Sequence, residues 1–319
     1  MIIYGPVPSR RLGQSLGINH IPPKTCSYSC CYCQLGRTDK MQIARREYYS
    51  PEEIFLEVEQ KLNLIRTSGK SVDYLSFVPD GEPTLDINIG TEIDLLKRLN
   101  VKTAVITNAS LLWMDDVRED LLGADWVSVK IDAVDEKVWH MVDRPHGALN
   151  IQQILDGIGE FAKLFKGSLV TETMLVDGVN DSTEDLLKLA GQLAIIKPEK
   201  AYVLVPTRPP AEPNVGRASN QKLLEAARLI RRLAGVPVEW ITGDEREDGF
   251  FFTGNVVEDL LGITAVHPLR AEIVDEMLKK QEVDPSDVEA LVACGKLLEF
   301  WHEGKKFYRK NILDEHVEA

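Results

Sequence analysis

The chain has no run of apolar residues approaching the ~20 that span a bilayer. Its opening, Met1-Ile-Ile-Tyr-Gly-Pro-Val-Pro-Ser-Arg-Arg11, holds no apolar stretch of signal-peptide length. Neither a membrane span nor a secretory leader is expected, and the expected compartment is the cytoplasm. Cysteine is scarce: there are five in 319 residues, four of them between Cys26 and Cys33 and the fifth at Cys294. A disulfide framework spreads its cysteines along a small secreted chain, so this pattern points instead to a local thiol site in a reducing compartment. Positive charge is in deficit, with 37 Lys and Arg against 50 Asp and Glu, a net −13. That excludes an extensive basic surface for nucleic acid while leaving room for a local basic groove. There is no short-period repeat and no low-complexity tract.

The pattern that is present is an alternation of apolar runs with helical segments. Asp73–Pro79, Val101–Thr107, Trp126–Asp132, Ser168–Val176 and Lys200–Val205 read as buried strands, with further strands at Ser15–His20 and Val236–Ile241. Helical periodicity fills the gaps at Pro51–Ile65, Thr91–Leu99, Met114–Leu122, Asn150–Phe165, Thr183–Ile195 and Asn220–Leu233. Ser50 before Pro51 is a helix-start signal. This βαβα order predicts a parallel α/β sheet or barrel with its site at the C-terminal ends of the strands. Past residue 255 the pattern changes. Three short helices (Val256–Ala265, Arg270–Lys280, Pro285–Cys294) precede a hairpin at Leu297–Arg309 turning at Glu303-Gly304. The expected division is therefore a body over 1–254 and a winged helix-turn-helix over 255–319.

Cys26, Cys30 and Cys33 form C-x₃-C-x₂-C. Three thiolates at this spacing can wrap one metal cluster and leave one position open, whereas iron–sulfur clusters are usually held by four cysteines. Zinc competes, but it takes four N or S ligands, and no second Cys pair follows. The bland reading is a group of buried, chemically idle thiols. Cys31 breaks the spacing and reads as a packed thiol. Cys294, in Ala290-Leu-Val-Ala-Cys294, reads as a core thiol.

The triad, with Tyr32 before its last cysteine, resembles the radical S-adenosylmethionine (SAM) superfamily. The resemblance implies a [4Fe–4S] cluster, SAM bound at its open iron, a partial (β/α)₆ barrel, and a reducing partner such as ferredoxin or flavodoxin. Gly81-Glu82-Pro83 follows a strand and resembles the family's Gly-Gly-Glu motif, with Asp80 in place of the first glycine. Glu82 precedes a proline and is biased to extended geometry, which leaves its carbonyl and side chain free for a ligand. The close pair Arg10-Arg11 resembles the opening of a subgroup related to the tRNA wyosine-synthesising enzymes. Superfamily motifs cover residues 1 to 210, and the subgroup similarity continues through the C-terminal part.

Strand ends supply the other candidates. Thr107 and Asn108 end one strand; Lys130 and Asp132 end the next, with Ser128 on the Lys130 face. These groups suit the ribose hydroxyls or the methionine carboxylate of SAM, or else simple strand-end capping. Glu172 within an apolar strand is either a ligand or half of a structural ion pair. Arg208, in Val205-Pro-Thr-Arg-Pro-Pro210, suits an anionic substrate or the SAM carboxylate, or a plain surface role. Arg144 in Asp143-Arg-Pro-His146 points to the same mouth, and Glu245–Gly254 reads as the domain connection. Two substrate classes compete: RNA, above all tRNA, and a protein or peptide. From Ala265 on there are eight Lys and Arg against twelve Asp and Glu, yet the hairpin carries Lys305, Lys306, Arg309 and Lys310 among Trp301, Phe307 and Tyr308. A non-enzymatic winged-helix sensor of iron or redox state is the third reading; the Gly-Glu-Pro motif and the α/β body count against it.

Overall fold

The computed structural model describes residues 2–241, 256–266, 268–280, 283–302 and 304–311. Its main sheet has eight strands: β1 (Ile3–Ser9), β2 (Gly13–Ile18), β5 (Tyr74–Phe77), β6 (Lys102–Thr107), β7 (Trp126–Lys130), β8 (Ser168–Met174), β9 (Lys200–Leu204) and β10 (Val238–Ile241), in that spatial order. The missing numbers, β3 (Thr25–Cys26) and β4 (Lys40–Met41), are a small parallel pair inside the loop after β2. From β2 onward every neighbouring pair is parallel; β1 alone is antiparallel. Among the described residues the sheet has two edges, β1 and β10, and is open between them.

Helices carry each parallel crossover: α1 (Pro51–Thr67), α2 (Ile89–Leu96), α3 (Asp115–Leu121), α4 (Glu136–Val142) with α5 (Ile151–Leu164), α6 (Thr183–Ile196) and α7 (Asn220–Ala234). Six β/α units and a closing strand therefore follow β1, the partial barrel implied by the family resemblance. Helix starts follow local chemistry. The hydroxyls of Ser50, Ser182 and Ser219 accept from the backbone N–H groups of Glu53, Asp185 and Lys222 at 3.1, 3.1 and 3.3 Å, and Asn150 caps α5 in the same way. Leu75, Phe77, Val105, Val127 and Val129 are wholly buried against Ile54, Val58, Ile93, Val117 and Ile158 in one core, which explains the near-continuous apolar runs of the inner strands.

Besides strands and turns of two or three residues, two elements lie outside the sequence expectation. β1 contains Pro6 and Pro8, which are admissible because it is an edge strand that needs few ladder donors. α4 is only seven residues long, too short to display a helical period.

The C-terminal residues form a second core around Leu260, Ile263, Leu269, Ile273, Val274, Met277 and Leu297. Its elements run α8 (Val256–Val266), β11 (Leu269–Arg270), α9 (Ala271–Lys280), α10 (Ser286–Ala293), β12 (Leu297–His302) and β13 (Lys305–Lys310), with strand order β11-β13-β12. This unit is joined to the barrel: α8 packs along β1, Val7 of β1 touches the second core, and Lys61 of α1 lies 3.6 Å from Asp259. Cys294 is exposed at the end of α10, a correction to its reading as a core thiol, because Leu291 is the residue of that turn that faces inward. The connection at Glu245–Gly254 lies outside the described residues. No helix among the described residues is long and apolar enough to cross a membrane.

Candidate active site

The loop from β2 to α1 carries the cysteines, and its neighbours pin it from three sides. Beneath it, Gly81 makes the closest approach: a Cβ there would stand 1.9 Å from the carbonyl oxygen of Thr25. Only glycine lets the turn after β5 lie this close, and the Glu82 N–H donates to that carbonyl at 3.1 Å. Asp80, where the family pattern has glycine, is buried and exchanges two hydrogen bonds with Asn19 at 3.0 and 3.1 Å. On the second side the segment after α4 pairs with the loop backbone: Cys31 N–H to Val142 O at 2.9 Å, Ser29 N–H to Asp143 O at 3.1 Å, and His146 N–H to Ser27 O at 2.9 Å. On the third, the β9–α7 connection crosses back. Glu212 N–H donates to Cys31 O at 3.1 Å, and its carboxylate takes both nitrogens of Arg37 (2.8 and 3.1 Å) and one of Arg144 (2.5 Å).

Within this cradle Cys26, Cys30 and Cys33 are half-buried and free; Cys26 feels the charge of Cys33, and Cys30 that of both others. The Asn108 side-chain amide points to Cys26 Sγ at 3.5 Å and to Ser27 Oγ at 2.9 Å. Burial pushes all three thiols up, Cys26 to about 12. The loop alone therefore disfavours three thiolates, and a bound metal centre is what would stabilise them. Among the described residues no three His, Cys, Asp or Glu side chains are grouped tightly enough for a single ion. A cluster spreads its thiolate ligands over several irons, so three free thiols with no fourth ligand fit a [4Fe–4S] centre better than mononuclear zinc. Cys31 is buried at 3% exposure and packs into the core, as its spacing implied.

Glu82 corrects one sequence inference. Its carboxylate is not free: Oε1 accepts from Thr84 N–H (3.1 Å), Thr84 Oγ1 (2.6 Å) and Thr107 Oγ1 (2.5 Å), and Oε2 accepts from Asn108 N–H (2.7 Å). At 1% exposure such a charge must be satisfied internally, and four donors fill a carboxylate's capacity. Burial raises its pKa, with the four donors opposing. The side chain thus ties the Gly81-Glu82-Pro83 turn to the ends of β6, and Thr107 and Asn108 are its partners.

The ends of β7 and β8 build a buried polar network. The Tyr32 hydroxyl donates a short hydrogen bond to Asp132 and lies 3.5 Å from Asp143 Oδ1, which is also 3.5 Å from Cys30 Sγ. Lys130 Nζ sits over the Tyr32 ring, 4.7 Å from its centroid. Burial pulls Lys130 down, but Asp132, Glu172, Cys30 and Asp143 outweigh it and hold the ammonium charged. Asp143 is pushed well up by burial and then by the like charge of Asp132. Asp132 also accepts from Met174 N–H at 2.6 Å. Glu172 is ion-paired with Arg11 and accepts from Ser128 Oγ at 2.7 Å. Burial would raise it, yet Arg11 and Lys130 bring it below the usual range. Arg208 reaches the loop from the far side, donating to Gln34 Oε1 at 2.7 Å.

Gly81, Glu82, Pro83, Thr107, Asn108, Lys130, Asp132 and Arg208 therefore lie at the C-terminal ends of the strands or in the loops beyond them, whereas Ser128 and Glu172 sit deeper, inside β7 and β8. Asp143 and Gln34 belong to the same network and were not singled out from sequence. The Asp135-Glu136 capping signal, which starts the short helix leading to Asp143, was the available clue.

The sequence profile described as the Radical SAM superfamily matches residues 21–190. Over 311 residues the chain is 43% identical to the UPF0026 protein MJ1312 of Methanocaldococcus jannaschii, covering 98% of this chain and 96% of that one. Among solved structures it resembles a radical SAM methyltransferase from Sphaerobacter thermophilus (TM-score 0.55, 16% identity, 72% of this chain and 67% of that one). It also resembles TYW1 with a lysine–pyruvate adduct bound (TM-score 0.52, 16% identity, 68% and 73%). At these identities the structural likenesses establish the fold.

Proposed function

Because this chain belongs to the radical SAM superfamily, we propose that it is an RNA-modifying member whose substrate is a tRNA, with Cys26, Cys30 and Cys33 holding its cluster. It is a radical SAM enzyme and uses a [4Fe–4S] cluster and SAM. The bound pair supplies reductive cleavage of SAM to a 5′-deoxyadenosyl radical that abstracts hydrogen, and a reductant such as ferredoxin or flavodoxin feeds it an electron. The protein's own work is binding, orientation and exclusion of water. Gly81 lets the Gly-Glu-Pro turn sit against the cysteine loop, and Glu82 locks that turn to Thr107 and Asn108. The Glu82 carboxylate and the Glu82 and Pro83 carbonyls are already engaged, so the Gly81 carbonyl is the turn acceptor assigned to the SAM amino group. Ser128, Lys130, Asp132 and Glu172 offer a hydroxyl, one cation and two carboxylates to the ribose and carboxylate of SAM, and Tyr32 keeps Lys130 and Asp132 in place. The observation that carries this reading is the convergence of three free thiols with the Glu82-locked turn, joined through Asn108.

The RNA assignment rests on the wyosine-type resemblance and on the C-terminal unit, which we read as a winged helix over 255–319. On its hairpin Trp301 is 71% exposed near the exposed Lys305, and Lys306 lies over the Tyr308 ring. Phe307, counted with this strip in the sequence, is instead buried at 3% in the unit's interior. Exposed aromatics beside cations suit stacking on unpaired bases. The second reading, a peptide substrate, is favoured by the acidity of the unit, fourteen Asp and Glu against eight Lys and Arg over 255–319. Modified nucleosides and tryptic peptides compared between cells with and without the protein separate the two. Loss of a tRNA nucleoside is expected; an altered peptide with an unchanged nucleoside profile would replace the RNA reading.

A further inference from the structure

We propose that Arg309 of β13 and Arg208 of the β9–α7 connection form a clasp for a phosphate group of the substrate, so that the C-terminal unit supplies part of the radical site. The proposal rests on the RNA reading above and adds where the substrate's backbone is held.

Both guanidinium groups converge on Gln34, the residue after the last cysteine of the triad. Arg208 donates to its side-chain oxygen at 2.7 Å, and Arg309 Nη1 reaches its backbone carbonyl at 3.5 Å. Arg309 comes from the appended unit, 275 positions away in sequence, yet it is half-buried here and lies near Cys33. Its Nε is buried with no hydrogen-bond partner, and its other neighbour is the Phe300 ring at 5.7 Å.

The contrast with the other arginines is informative. Arg11 is paired with Glu172, Arg37 and Arg144 with Glu212, and Arg45 with Asp116 and Asp120. Among the described residues no carboxylate lies within ion-pair distance of Arg309. In a chain of net charge −13, a guanidinium sunk beside the site with a neutral carbonyl as its hydrogen-bond partner is costly. An oxyanion that accepts from Nε and Nη removes that cost and reads the fork geometry of the side chain. The unpartnered Nε of Arg309, with Arg208 bonded to the same glutamine, suits a tetrahedral phosphate better than a single planar carboxylate.

The test uses the full-length, cluster-reconstituted protein at low salt, with inorganic pyrophosphate as the probe in a ³¹P NMR titration. The variants are R309Q, R309K and R208Q, with R228Q on the exposed face of α7 as a control. R309Q and R208Q are expected to weaken pyrophosphate binding about tenfold or more, R309K less, and R228Q not measurably. N-acetylglutamate should compete poorly. Three results overturn the clasp: no pyrophosphate binding by the unsubstituted protein, binding unaffected in R309Q, or loss of SAM affinity in R309Q with pyrophosphate binding intact. The last would assign the guanidinium to the SAM carboxylate. Equal competition by N-acetylglutamate would overturn the phosphate preference. Iron content and 5′-deoxyadenosine formation, read on the same unsubstituted sample, report on the cofactor assignment separately, since neither measures pyrophosphate.

Discussion

Glu82 and Glu92 are equally buried, each at 1% exposure, and ten residues apart, yet their surroundings are opposite. Glu82, at the rim, receives four hydrogen bonds from three residues of the turn and the end of β6. Glu92, one layer beneath on α2, receives none: both its oxygens are buried without a partner. Its nearest basic group is His20 Nε2 at 4.0 Å, which already donates to Pro83 O at 3.1 Å. Burial raises Glu92 to about 9, and Asp86 adds to the rise; burial lowers His20 to about 4. At neutral pH both are uncharged, so the contact is not an ion pair. The difference teaches that burial of a carboxylate does not by itself mark a site. The rim spends its donors on keeping Glu82 fixed, and the layer beneath supports the rim through the His20–Pro83 bond while carrying a neutral acid.

The seam between the two layers should be the most sensitive point. G81A forces a Cβ into the Thr25 carbonyl, and overpacking against backbone is expected to cost about 3 kcal/mol or more. The loss would appear in chemical denaturation and as reduced iron uptake. A G81A protein of unchanged stability and iron content would show that the turn and the cysteine loop do not meet as described.

Next comes E92Q. The folded pKa of Glu92 lies above its unfolded value, so its contribution is fully present below about pH 4.5 and is lost as pH rises toward 9. At pH 7 keeping it protonated costs roughly 3 kcal/mol. E92Q should therefore raise stability at pH 8 and flatten the fall in stability between pH 5 and 9. His20 acts in the other direction over a different window: its depressed pKa means stability is lost as pH falls from about 6.5 toward 4. Denaturation curves at several pH values check both slopes, and an E92Q variant with the parent's slope would refute the neutral-acid assignment.

E82Q should have the opposite sign and a smaller size. An amide cannot accept all four bonds, so a loss of about 2 kcal/mol is expected, together with weaker SAM binding. If E82Q and E92Q shifted stability in the same direction at pH 8, the contrast between the two layers would fail.

The parallel α/β order was legible in sequence because the inner strands are buried on both faces and α1, α5, α6 and α7 carry serine or asparagine caps. β1 was not, since Pro6 and Pro8 argue against a strand until its edge position is known. The triad and the Gly-Glu-Pro turn were legible as motifs, and the structure brings Thr107, Asn108, Lys130, Asp132 and Arg208 to the same rim, with Ser128 and Glu172 deeper along β7 and β8. What sequence did not carry was partnership. That the Glu82 side chain is consumed by Thr84, Thr107 and Asn108 depends on where β5 and β6 end in space. That Asp143 meets Cys30 depends on a seven-residue helix without a visible period, and that Arg309 meets Gln34 depends on how the C-terminal unit sits against β1. Local pattern encodes elements; these contacts join residues 25 to 275 positions apart.

The most direct measurement is anaerobic reconstitution with iron and sulfide, followed by SAM and dithionite, on the unsubstituted protein, C33A and C31A. The unsubstituted protein and C31A should each hold about four irons and release 5′-deoxyadenosine, while C33A should do neither. Release by C33A at the parent's rate, or loss in C31A alone, would contradict the assignment of the cluster to Cys26, Cys30 and Cys33.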